Sequence, residues 1–475
     1  MDHRKVSATP RKMVAVNTIG FLEGEREKRP LLITNGELVT WGEDPRIICD
    51  GALLVERGLI AEIGPTAELL GKYRGAEILD ASGMLVMPGN ICSHTHFYGA
   101  FARGMSIPGE PPRDFPEILR RLWWQLDRVL TVEDVRYCAL VCLLDAIKHG
   151  TTTLIDHHAS PNAIAGTLDV LAAAVQQSGL RAVLCYEVSD RDGVEKAHAG
   201  ISENVRFIES VRAGDWGERV ASTFGLHASL SLSDETLQAC RDAVPDGVGF
   251  HIHVAEHEAD QRDSVDKSGV CVVERLQRSG ILGPDTIAAH CVHINSAEVA
   301  LLAQTGTWVT HQPRSNMNNA VGVADVEKLL REGVRVALGN DGFSNNMWAE
   351  WKTAYLLHKV WQRDPRIMDG VTVVEMAVHH SAALANKFFP VAPLGVLSAG
   401  AQADIIFVDY HPTTPLVAAN LPWHILFGFE ASMVDTTICA GKVLMRNREL
   451  VTLDEAEITA RSRELAAAVW NRLPD

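Results

Sequence analysis

Residues 83–96 read GMLVMPGNICSHTH, an apolar run that ends in two histidines one residue apart. Nineteen histidines in 475 residues give roughly one His-x-His by chance, so the pair alone is a weak sign of a metal site. What gives it weight is that the same pattern returns. Seven further β-rich runs follow: TTTLIDHH (151–158), RAVLCYEV (181–188), RVASTFGLHAS (219–229), VGFHIHVAE (248–256), TIAAHCVHI (286–294), TWVTHQP (307–313) and RVALGNDG (335–342). Helical patterns lie between them, among them residues 131–150, 161–179 and 297–306. Strands alternating with helices are the signature of βα units around a parallel sheet. Eight such units predict a (β/α)8 TIM barrel over 84–392. A doubly wound open sheet is the rival, but neither G-x-G-x-x-G nor G-x-x-x-x-G-K-[ST] occurs to supply its phosphate loop.

The flanks have another style. LLITNGELVTW (31–41), GALLVERGLIAEIG (51–64) and AEILDASG (76–83) are short strands punctuated by turn residues, and the pattern resumes in 395–410 and 434–450. Residues 29–83 and 393–452 are therefore expected to fold together as a small β-sandwich. Residues 1–28 read as an unattached extension and 453–475 as a C-terminal surface helix.

Composition narrows the class. Hydrophobic content of 47% with 22% charged residues is that of a soluble globular chain. No apolar run is long enough for a bilayer, and the N-terminus lacks a signal-peptide core. A net charge of −16 disfavours nucleic acid as a partner. Nine scattered cysteines fit small buried hydrophobes in a reducing compartment, the cytoplasm, better than a disulfide framework.

In a barrel the chemistry sits at the C-terminal strand ends, and seven of the eight runs end in histidine or aspartate. Alternate strand residues share a face, so His94 and His96 can hold one ion together. His253 is favoured over His251 because it lies nearer its strand's end, three residues before Glu256. Asp341 adds an oxygen ligand from the eighth run. Such a set with an open position suits Zn²⁺ or Fe²⁺, and an ion there lowers the pKa of bound water from about 15.7 towards 7. Glu256 is placed as acid or proton shuttle, His290 to hydrogen-bond the nascent nucleophile, and Asp341 to accept its proton. Trp123 and Trp124 near the mouth could pack on a planar ring. Neighbours on a helix do not share a face, so only one is expected to reach a ligand, and Trp124 is taken.

This constellation resembles the amidohydrolase superfamily. The stretches that carry the resemblance are MPGNICSHTHFYGAFARG (87–104), HVAEHEAD (253–260), AAHCVHI (288–294), HQPRSNMNNAVGVADVEKLLREGV (311–334), RVALGNDG (335–342) and APLGVLSAGAQADIIFVD (392–409). Within it the chain looks like the aminohydrolase and chlorohydrolase branch, near the SsnA-like aminohydrolases and the guanine and 8-oxoguanine deaminases. The resemblance implies His94, His96, His253 and Asp341 as metal ligands, with Glu256, His290 and Asp341 catalytic. It also implies the barrel with its N- plus C-terminal sandwich, and a homodimer. His227 is a substrate-pocket residue by the same resemblance, with a core histidine as the alternative. Arg103 and Asn316 follow matched motifs and could bind substrate, cap a loop or form a salt bridge. Relatives with two metals bridge them through a lysine at the fourth strand, and none stands in 219–229. One ion is therefore expected. Glu187 is left either as a bridge to a second ion or as a core or loop-facing carboxylate. The implied activity is hydrolytic deamination of a purine- or pyrimidine-like N-heterocycle. Ring opening of a cyclic amide, dechlorination of a triazine-like ring, and a silent metal- or ligand-binding barrel are the alternatives.

Overall fold

The runs that end in polar residues are buried along their length, as strands covered on both faces must be. The computed structural model describes residues 29–107 and 109–474, so the extension expected over 1–28 lies outside the described residues. The N-terminal flank supplies β1 (Leu31–Val39), β2 (Ile47–Glu56), β3 (Leu59–Pro65), β4 (Glu77–Asp80) and β5 (Leu85–Pro88). Then come β6 (Asn90–Thr95), β7 (Thr151–Asp156), β8 (Arg181–Leu184) and β9 (Val220–Ser222), a four-stranded parallel sheet in that order. A second parallel sheet follows, β10 (Phe224–Ala228), β11 (Phe250–Val254), β12 (Ile287–His290), β13 (Trp308–His311) and β14 (Val336–Leu338). The C-terminal flank adds β15 (Ile405–Val408), β16 (Val434–Cys439), β17 (Lys442–Arg446) and β18 (Glu449–Leu450).

The two flanks meet in one nine-stranded sheet, ordered β18-β17-β16-β15-β5-β1-β2-β3 with β4 paired to β1. The run 83–96, read as one strand, is two. Leu85–Pro88 pairs with β1 and β15, whereas Asn90–Thr95 pairs with β7. Gly89 stands at the break, and a Cβ there would lie 2.3 Å from the Thr152 side chain. The run 219–229 also divides, at Thr223. Its first half pairs with β8 and its second with β11. Thr223 holds both sides, its N–H donating to Leu184 O (3.2 Å) and its hydroxyl to Gly249 O (2.9 Å). At the opposite edge Thr95 and Asp341 form a parallel bridge. There Asn340 N donates to His94 O (2.9 Å) and His96 N to Asp341 O (3.0 Å).

Helices return the chain between parallel strands. Val132–Lys148 buries Val135, Ala139, Leu143 and Ala146, a 3–4-residue stripe, and starts with a Thr131/Asp134 capping box. The C-terminal helix, Glu455–Arg472, lies on it through Lys148–Glu455 (2.6 Å) and Arg461–Glu133 (2.7 Å). Among the described residues no helix is long and apolar enough to cross a membrane.

Candidate metal and catalytic site

Four imidazoles and two carboxylates converge beyond the C-terminal ends of β6, β11, β12 and β14. Asp341 Oδ1 lies 2.9 Å from His96 Nε2 and 3.3 Å from His94 Nε2, while His253 Nε2 is 3.2 Å from His96 Nε2. Groups here that could hold an ion include His94/His96/His157/His253, His94/His253/His290/Asp341 and Glu187/His227/His253. The reverse sides of the rings explain which nitrogens are free to bind. A backbone carbonyl only accepts, so His96 Nδ1, 2.5 Å from His157 O, and His253 Nδ1, 2.7 Å from His227 O, carry the protons. That leaves both Nε2 atoms facing inward, the nitrogens that can serve as ligands. His94 Nδ1 meets His251 Nε2 at 2.9 Å, and its buried Nε2 has no hydrogen-bond partner. Burial lowers the His94 pKa to about 4, so it stands neutral with a lone pair available. A divalent cation fits this donor set.

The strand ends are shaped to bring these groups together. Gly339 lets the segment after β14 close on β6, since a Cβ there would sit 2.7 Å from His94 O. Asp341 (φ 58°) and His290 (φ 72°) both occupy the left-handed region, a conformation side chains of this kind keep only where the surroundings dictate it.

Glu256 follows β11 and is buried, with Oε2 3.5 Å from His290 Nε2 and Oε1 accepting from Asn319 Nδ2 at 3.4 Å. Burial, and then the neighbouring Asp341 charge, push its pKa well above the ordinary carboxylate range. That shift favours the protonated carboxyl, the form able to donate a proton. Burial works against the charge on Asp341, but the imidazoles of His94 and His96, 3.3 and 2.9 Å from its Oδ1, outweigh it and hold that pKa low. Two acids in one pocket are thus driven apart.

Above the cluster opens a cavity with His96, His253, Glu256 and Asp341 in its floor and Trp123 and Trp124 in its wall. Both indoles line it. The segment is not a regular α-helix, since Leu119–Trp123 is a π-helical turn and the α-helix starts at Trp124. Trp124 meets the ring of His227 at 6.3 Å and the guanidinium of Arg191 at 5.5 Å.

The remaining candidates fall in different places. His227 lines the cavity, with Nδ1 on Ser231 Oγ at 2.6 Å and burial lowering its pKa to about 3. Asn316 is fully buried and holds His290 Nδ1 at 2.9 Å instead of lining the cavity. Arg103 is exposed and does not line it either. Glu187 reaches the back of His96, Oε1 to Nδ1 3.3 Å, and His157 Nδ1 at 3.5 Å. Ser315, Asn319, Asp127 and Arg191 were not singled out from sequence. The first two lie within the quoted stretch 311–334, where their type alone does not separate them from loop polar residues.

Residues 85–444 match the sequence profile of the amidohydrolase family. The 5'-deoxyadenosine deaminase of Methanosarcina mazei is 34% identical over 449 residues, 93% of this chain and 99% of that protein. The 5-methylthioadenosine/S-adenosylhomocysteine deaminase of Pelotomaculum thermopropionicum is 32% identical over 455 residues, with 93% and 99% covered. Among solved structures, an adenosine deaminase from Xanthomonas campestris with bound zinc superposes with a TM-score of 0.82 at 25% identity, covering 94% of this chain and 99% of that one.

Proposed function

The chain belongs to the amidohydrolase family, and from that premise we propose that it is a metal-dependent deaminase that hydrolyses the exocyclic amine from an adenosine-type purine. One observation carries the reading. Nε2 of His94 and of His96 lie 3.3 and 2.9 Å from Asp341 Oδ1, and His253 Nε2 lies 3.2 Å from His96 Nε2, at the floor of a cavity that also presents Glu256, its pKa pushed up, and two indole walls. The relatives act on adenine nucleosides by name, and the indoles suit a flat heterocycle.

In this reading His94, His96, His253 and Asp341 hold one divalent ion, Zn²⁺ before Fe²⁺, which when bound supplies Lewis-acid activation of a water molecule. Glu256 gives its proton to the ring nitrogen as the water oxygen adds to the adjacent carbon. Asp341 accepts the water's proton and His290 holds the attacking oxygen by a hydrogen bond. Asp341 then passes the proton it took to the departing amine while the Glu256 carboxylate takes the adduct's hydroxyl proton; the carbon–nitrogen bond breaks, ammonia leaves and both acids return to their starting state. Trp124 and His227 contact the substrate. The two parallel sheets are taken as one closed (β/α)8 barrel, supported by the Thr95–Asp341 bridge and by Thr223. The mixed flank sheet is taken as its accompanying sandwich.

Ammonia release from adenosine, 5'-deoxyadenosine, 5'-methylthioadenosine, S-adenosylhomocysteine, guanine and aminotriazines tests the activity. Turnover of the adenosines is the expected result, and turnover of triazines alone would overturn it. Metal analysis should find one ion per chain. Glu256→Gln should lose at least ~100-fold in kcat and keep that ion.

We also propose a homodimer. Leu356 and Val360 on helix Met347–Gln362, with Trp423 and Phe427 on Leu421–Gly428, form an apolar face in which Val360 is 76% and Phe427 66% exposed. Tyr355 and Phe427 join the two helices, ring to ring at 5.6 Å. Light scattering should give twice the chain mass. The nine unpaired cysteines support a reducing compartment, the cytoplasm.

A further inference from the structure

We infer that the short segment 313–319 is a bracket that sets the working state of all three proposed catalytic residues, and that Asn316 within it fixes His290 with its proton on Nε2. The helix Pro313–Asn318 and the residue after it send three side chains to three different targets. Ser315 Oγ donates to Asp341 Oδ2 at 2.5 Å, Asn316 Nδ2 meets His290 Nδ1 at 2.9 Å, and Asn319 Nδ2 donates to Glu256 Oε1 at 3.4 Å. Asn319 also donates to Ser315 Oγ at 3.3 Å, which ties the bracket to itself. Its base is fixed, because the Arg314 guanidinium binds the fully buried Glu350 at 2.5 Å and the Ser344 carbonyl at 2.7 Å.

Each contact selects an atom. The serine hydroxyl occupies Asp341 Oδ2, so Oδ1, the oxygen facing His94 and His96, is the one left for an ion. An amide nitrogen only donates, so His290 Nδ1 accepts and the imidazole proton sits on Nε2. That atom is buried, without a hydrogen-bond partner, and 3.5 Å from Glu256 Oε2. It therefore presents N–H where the attacking oxygen is held in the proposed function, on which this part of the inference rests. The amide orientation follows from what it leaves behind. As placed, one carbonyl oxygen of Asn316 is unpaired. Turned over, it would bury an NH₂ group with two N–H donors away from His290, the costlier choice. Asn316 is fully buried and outside the cavity wall, so it acts through His290 as a positioning residue, not as a substrate ligand.

Asn316→Asp keeps the shape and reverses the polarity, since a carboxylate accepts where the amide donated. Ring-¹⁵N histidine labelling reads the tautomer directly, with His290 identified by the signal lost in His290→Gln. The expected result is a proton on Nε2 in the unsubstituted protein and on Nδ1 in Asn316→Asp. The variant's kcat should fall about 10- to 100-fold, as for other partners behind a site histidine, with KM little changed. An unsubstituted protein with the proton on Nδ1 would overturn the assignment, whether or not the variant folds. So would Asn316→Asp with unaltered kcat. If no adenosine-type purine is turned over, the proposed function fails, and the ¹⁵N pattern still decides the tautomer.

Discussion

Behind His96 stands a carboxylate whose burial should have kept it neutral. Glu187 is 4% exposed. Burial pushes its pKa up, yet the contact with His96 Nδ1 at 3.3 Å and the neighbouring imidazoles of His227 and His253 prevail and bring it to about 2. An anion at Nδ1 makes the opposite nitrogen a stronger ligand and fixes the ring's angle. Glu187→Gln keeps a carbonyl acceptor and removes the charge, so metal affinity should fall about 10- to 100-fold. Competition with a chelator measures it. The metal-free protein should melt near the unsubstituted temperature, and an unchanged affinity would assign Glu187 to packing alone. Sequence reading left Glu187 between a second-ion bridge and a core residue. Glu187 is buried at Nδ1, the side of His96 turned away from Asp341, and with His227 and His253 it makes a further group able to hold an ion. Strand periodicity gives the face a residue points to, but not which nitrogen of which ring it meets.

At the scale of the element, the decisive contact is the seam where the end of β14 lies on β6. Asn340 and Asp341 both donate backbone N–H to His94 O, at 2.9 and 3.1 Å, and Thr95 Oγ1 donates to Asp341 O at 2.9 Å. The seam therefore sets the spacing of three proposed ligands. Gly339 permits it, for a Cβ would lie 2.8 Å from both the Cβ and the N of His94. These neighbours are mostly backbone and cannot swing aside. Gly339→Ala should cost about 1–3 kcal/mol through overpacking and should lower metal retention along with the melting temperature. A variant that melts normally with full metal content would show that the seam can open without consequence. The eight runs were legible because their polar endings recur. The breaks at Gly89 and Thr223 were not, since hydrophobic periodicity identifies a strand without naming its partner. A run that changes sheets midway looks continuous in sequence.

At the scale of the whole molecule, the flank sheet is fastened to the parallel strands by one buried ion pair. Asp404, just before β15, meets Arg181 at the start of β8 with Oδ1 to Nη2 at 3.3 Å, and both side chains are at most 3% exposed. Gln402 Oε1 accepts from the same guanidinium at 3.1 Å. Asp404 Oδ1 also accepts from Ala440 N at 2.7 Å, and Gly89 N donates to Asp404 O at 3.0 Å. The stretch 392–409 announced a return to the flank, but a partner 223 residues away leaves no local pattern, so this joint was invisible in sequence. Its energetics can be separated by substitution. Asp404→Ala strands a buried guanidinium and should cost about 3–5 kcal/mol, whereas replacing both partners, Arg181→Met with Asp404→Leu, should recover much of that loss because no charge is left unpaired. Urea unfolding followed by circular dichroism and by tryptophan fluorescence measures both. If the pair fastens the units into one cooperative structure, the two probes coincide in the unsubstituted protein and separate in Asp404→Ala, the flank sheet loosening before the parallel strands. Coincident transitions in every variant would mean that the apolar contact between the sheets holds them together without the ion pair, whose role would then be to fix orientation at a net cost in stability.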